Sequence, residues 1–98
     1  MKFKDLKFID TKFPKGKQAL VQFGEYELSI ICNERSYGGQ RGGTLYEIGV
    51  FKGNAMVELP GITEEGDTVK GWLNETNVEL IMKKMYSLTM HTGQNNLT

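Results

Sequence analysis

The clearest periodic signal lies between residues 18 and 33. Ala19, Val21 and Phe23 share one parity, Tyr26, Leu28, Ile30 and Cys32 share the other, and the switch falls at Gly24-Glu25. Alternation at period two marks half-buried strands, and glycine at the first central position suits a type II′ turn. The stretch therefore reads as a hairpin of about 18–23 against 26–33, with a bulge in one long strand as the competing reading. Leu45, Tyr46, Ile48, Val50 and Phe51 predict a further strand, and Gly53-Asn54 turns it into a shorter one over 55–59, ended by Pro60, which has no N–H for a ladder.

At the start, Phe3, Leu6, Phe8 and Ile9 sit among lysines and predict an imperfect strand over the first nine residues, followed by a loop over 10–17 containing Pro14 and Gly16. Near the other end the period changes. Val78, Ile81, Met82, Met85 and Leu88 recur at three- and four-residue spacing, the pattern of an amphipathic helix of about 13–15 residues. Asn74 or Thr76 supplies the N-cap, Thr76 to Glu79 fits a capping box, and the charges of Glu75, Glu79, Lys83 and Lys84 are ordered favourably against the helix dipole. One such helix needs a surface to cover, and the sheet is the surface available. The expected architecture is α+β: an antiparallel meander of four to five strands with one C-terminal helix on one face. A single domain over 1–89 and a polar tail over 90–98 complete it.

Composition narrows the classes. A chain of 98 residues makes one domain that buries roughly two thirds of its unfolded surface, and 39% hydrophobic residues suffice for a core without disulfide or metal. One Cys excludes an internal disulfide, and one Cys with one His excludes a Cys-rich zinc site, so no metal and no cofactor are expected. No apolar run suggests a membrane span or a signal peptide, which places the expected compartment in a reducing cytoplasm. Net charge is zero, yet residues 1–17 hold six lysines and two acids, a balance of +4. Residues 58–79 hold six acids and one lysine, a balance of −5.

Candidate chemistry is sparse. Cys32 reads as a structural residue, because the only histidine, His91, lies in the expected tail and offers no base for nucleophilic or triad chemistry. The lysines of the start explain themselves most simply as protection of an edge strand; interleaved with Phe3, Phe8 and Phe13, they also resemble a single-strand stacking patch. Glu64, Glu65 and Asp67 lack the ligand order of a calcium loop and read as a solvated acidic segment. Trp72 is expected to pack where sheet meets helix, with an exposed interface anchor as the alternative. The most unusual stretch is 36–43, with four of twelve glycines in six positions. It lacks the spacing of a dinucleotide fingerprint and the Lys-Ser/Thr of a P-loop. Arg35 just before it, Tyr37, Gly38, Gly39 and Arg41 within it, and Trp72 form the candidate binding set: a stacking face, two guanidinium groups and a pliable backbone; a plain flexible loop between two strands is the competing reading.

The ordered series Asp5-Leu6-Lys7-Phe8, Tyr37-Gly38-Gly39, Leu45 to Val50, Ile62-Thr63, Val69 to Leu73, then Val78 with Met82, resembles a group of small bacteriophage- and prophage-encoded proteins. The resemblance implies a phage origin and action in the host cytoplasm, and transfers no catalytic residue. The lysine-rich start departs from that group's acidic character. The resulting expectation is a non-enzymatic accessory protein that binds, and inhibits, a host protein engaged in defence or nucleic-acid processing. Sequestration of a nucleotide signal by Tyr37 and Arg41 is the alternative, and direct nucleic-acid binding by the lysines comes after it. A homodimer through an uncovered sheet face or edge is open to such a fold.

Overall fold

The computed structural model describes the backbone of residues 1–97 and the side chains of residues 1–89. Among the described residues, six strands and one α-helix follow a 3-10 turn at Phe3–Asp5: β1 (Ile9–Lys12), β2 (Lys15–Phe23), β3 (Tyr26–Asn33), β4 (Tyr46–Lys52), β5 (Ala55–Met56), β6 (Val69–Leu73) and α1 (Glu75–Leu97). The strands run antiparallel in the order β1-β2-β3-β4-β5, and β6 pairs with β4 beside β5. The α+β layer expected from the period change is present.

The hairpin at Gly24-Glu25 forms with Phe23 opposite Tyr26. Gly24 has φ 60 and Glu25 is not among the positive-φ residues, the combination a type II′ turn requires. The registers Ala19 with Ile30 and Leu28 with Val50 put the alternating apolar side chains of three strands on one face. That face is the core. Leu28, Ile30, Ile48 and Val50 are fully buried against Val78, Met82 and Met85 of α1. Removing such side chains from water stabilises by roughly 1.5–3 kcal/mol each.

Three expectations are corrected. The expected strand over the first nine residues is absent up to Ile9, where β1 begins: Phe3 enters a 3-10 turn and its ring packs edge-on to Tyr46 at 5.1 Å, while Phe8 lies 5.7 Å from Tyr46. The expected loop over 10–17 is the β1–β2 hairpin, turning at Phe13-Pro14 with the Thr11 hydroxyl donating to the Pro14 carbonyl at 2.8 Å. The helix is longer than its apolar stripe. Its backbone continues from Glu75 through Leu97, across most of the expected 90–98 tail, because adding a turn to a formed helix is far easier than nucleating one. Thr98 and the side chains from Met90 onward lie outside the described residues. Leu88, expected inward, is 46% exposed.

The helix cap is Asn74. Its carboxamide oxygen accepts the Asn77 N–H at 2.8 Å, and the Asn77 oxygen accepts the Asn74 N–H at 3.0 Å, a reciprocal box shifted two residues from the one the sequence suggests. Glu79 is thereby left out of the cap. Its carboxylate instead accepts the Phe3 N–H at 2.7 Å and ties the lysine-rich start to the acidic segment.

Candidate functional site

Trp72 occupies an irregularity in β6. Tyr46 pairs with Leu73 and Ile48 with Lys70, so Gly71 and Trp72 together face Glu47. The bulge sets Trp72 at φ 60, a left-handed conformation that costs a bulky residue of order 1–3 kcal/mol. It also turns the indole outward. Trp72 is 63% exposed, which overturns the expectation that it packs between sheet and helix and favours the alternative of an exposed anchor.

The freed backbone edge of the bulge meets the loop after β3. The Trp72 N–H donates to the Tyr37 carbonyl at 3.0 Å, and the Tyr37 N–H donates to the Glu47 carboxylate at 2.7 Å. Tyr37 is thereby held like one residue of an extra strand while its ring stays 52% exposed. Gly71 makes the approach feasible, since a Cβ there would stand 2.3 Å from the Tyr37 Cβ. Tyr37 and Trp72, with Glu64, Asp67, Lys70 and Gly71, line a shallow concavity of about 420 Å³. The Lys70 ammonium pairs with the Glu64 carboxylate at 3.0 Å. Two hydrogen bonds brace the loop bearing the acids: Glu58 accepts the Gly66 N–H, and the Asp67 N–H donates to the Glu64 carbonyl at 2.9 Å.

The other members of the candidate set lie elsewhere. Gly38 and Gly39 are buried, and their small size serves packing: a Cβ on Gly39 would reach 2.5 Å from the Asn33 carbonyl and the Ser36 hydroxyl. Arg35 and Arg41 are exposed and do not line the concavity. Arg41 sits at φ 57 within the 3-10 turn Gln40–Gly42. Cys32 is half-buried and its thiol donates to the Gly43 carbonyl at 3.5 Å; the His91 side chain lies outside the described residues.

Phe3 and Phe8 belong to the Tyr46 ring cluster, with the Lys17 ammonium 4.9 Å from the Phe8 centroid, so of the three aromatics in the basic start only Phe13 presents its ring freely, at 96% exposure. On the other side of β6, Lys70 also borders a hollow of about 350 Å³ floored by Ile62, Leu73 and Ile81 and rimmed by Lys83 and Lys84. No cluster of three or more His, Cys, Asp or Glu side chains placed to hold a metal occurs among the described residues. No described helix is long and apolar enough to cross a membrane.

Glu64, Asp67 and Lys70 join the site although the sequence alone does not place them there. The signal that points to them is position in the chain: the acidic run 64–67 leads directly into the run Val69 to Leu73 that carries Trp72. Comparison of the chain with protein-family models, curated proteins and solved structures returns no significant match.

Proposed function

We propose that the chain is a non-enzymatic binding protein that engages a partner protein through the Tyr37–Trp72 concavity. One observation carries the reading: two large aromatic side chains are held in the open by a direct backbone hydrogen bond between their residues. Tyr and Trp dominate interface hot spots, and residues whose backbone is already held lose less conformational freedom on contact. The resemblance to phage-encoded proteins makes a host protein the proposed partner and inhibition the proposed outcome.

A nucleotide ligand finds less support. The carboxylates of Glu64 and Asp67 oppose a phosphate, and Arg41, the residue expected to bind it, stands outside the concavity. The lysine-rich start has two of its three aromatics committed to the ring cluster with Tyr46, which weakens the nucleic-acid reading as well.

The test is capture from bacterial host lysate with wild type, a Tyr37→Ala/Trp72→Ala variant and an Arg35→Ala/Arg41→Ala variant. Partners lost with the first variant and retained with the second are expected. Identical partner lists from all three would overturn the assignment.

A further inference from the structure

We infer that the Tyr37–Trp72 concavity receives an arginine side chain from a basic segment of the partner. The inference rests on the binding reading above and specifies its chemistry. Three features converge. The two rings make no stacking contact with each other and their residues are 52% and 63% exposed, so each offers ring surface to a ligand, and the Tyr37 hydroxyl, without a partner among the described residues, can accept from a guanidinium N–H. A cation over such faces is attracted by the ring quadrupole, and a planar guanidinium also stacks on them.

Charge selects the same ligand. Of the three ionic groups at the concavity, Glu64 and Lys70 neutralise each other at 3.0 Å, which leaves the Asp67 carboxylate without an ion pair among the described residues. A guanidinium satisfies it with two parallel N–H donors, a geometry an ammonium cannot reproduce. Across β6 the sign reverses, because Lys83 and Lys84 rim the neighbouring hollow. A basic side chain is therefore drawn to the aromatic side of the strand and repelled from the other.

Trp72 is the only tryptophan in the chain, so its fluorescence reports on this site alone. The probe is a short, end-blocked arginine–glycine peptide, with the same peptide carrying citrulline, equal in shape and uncharged, as the control. The arginine peptide is expected to change Trp72 emission saturably, and the citrulline peptide to leave it unchanged. Asp67→Asn is expected to weaken binding about fivefold. Raising the salt to about 1 M, where the Debye length is about 3 Å, is expected to weaken it further. Lys83→Ala, across the strand, leaves it unaltered or slightly tighter. Equal responses to arginine and citrulline, a response to nucleotides instead, or none to either peptide would each overturn the inference. Lysate capture with Asp67→Asn separates the two readings. Partners that need Tyr37 and Trp72 but ignore Asp67 leave the binding function standing and remove the arginine; partners indifferent to all three remove both.

Discussion

The Trp72 amide donates to the Tyr37 carbonyl at 3.0 Å, and this one bond joins the loop after β3 to a strand that lies far beyond it in sequence. The two residues of the concavity are thus positioned by main chain, while their side chains stay more than half exposed. Changes to the rings and changes to their support should have separable effects.

Gly71→Ala attacks the support. The new Cβ would stand 2.3 Å from the Tyr37 Cβ and 2.9 Å from its carbonyl oxygen, closer than atoms tolerate, so Tyr37 must leave β6. A loss of about 1–3 kcal/mol in denaturant unfolding is expected. Partner capture should disappear although both rings are still present.

Trp72→Gly attacks a ring and relieves the backbone. Glycine adopts φ 60 without steric cost, an advantage offset in part by its greater freedom when unfolded. Thermal unfolding should show unchanged stability or a gain of up to about 1 kcal/mol, together with lost binding. A loss above about 1 kcal/mol would mean that the indole supports the fold after all.

The helix start offers a test of which cap operates. Asn74→Ala removes an acceptor for the Asn77 N–H and should cost about 1 kcal/mol. Thr76→Ala, at the position a capping box with Glu79 would use, should change stability by less than about 0.5 kcal/mol. The reverse order in chemical denaturation would reinstate the Thr76 box.

Glu79→Gln keeps the shape of the side chain and an oxygen for the Phe3 N–H but removes the charge that shortens the bond to 2.7 Å. A loss of about 0.5–1.5 kcal/mol is expected, and Glu79→Ala should roughly double it. Equal stability for both variants and wild type would show that the start of the chain is held by its rings alone.

The elements legible in the sequence are those whose burial follows a period. Ala19, Val21, Leu28, Ile30, Ile48 and Val50 alternate because one face of their strands is core, and Val78, Met82 and Met85 repeat at helical spacing for the same reason. Strand β1 escapes because Ile9, Asp10 and Lys12 are all exposed: backbone pairing with β2 makes it a strand, and no buried face marks it. Strand β6 escapes because its bulge breaks alternation at Gly71-Trp72. The same bulge explains why Trp72, whose bulk argues for burial, points outward. Tyr37 and Trp72 each stand out in the sequence as candidate binding residues. Their juxtaposition does not, since it depends on a non-local pairing between β4 and β6 that composition does not encode.

The bond from Phe3 to Glu79 spans 76 residues, whereas β1 with β2, β2 with β3 and β3 with β4 pair strands that are neighbours in sequence. Closing a long loop is entropically harder than closing a hairpin, so the meander can assemble before the 3-10 turn docks on α1. The folded molecule should open in the opposite order. In native-state hydrogen exchange, the amide of Phe3 is expected to exchange through local fraying while those of Leu28 and Ile30 wait for global unfolding. A protein of this build can release its basic first segment, with Lys2, Lys4 and Lys7, and still keep its sheet.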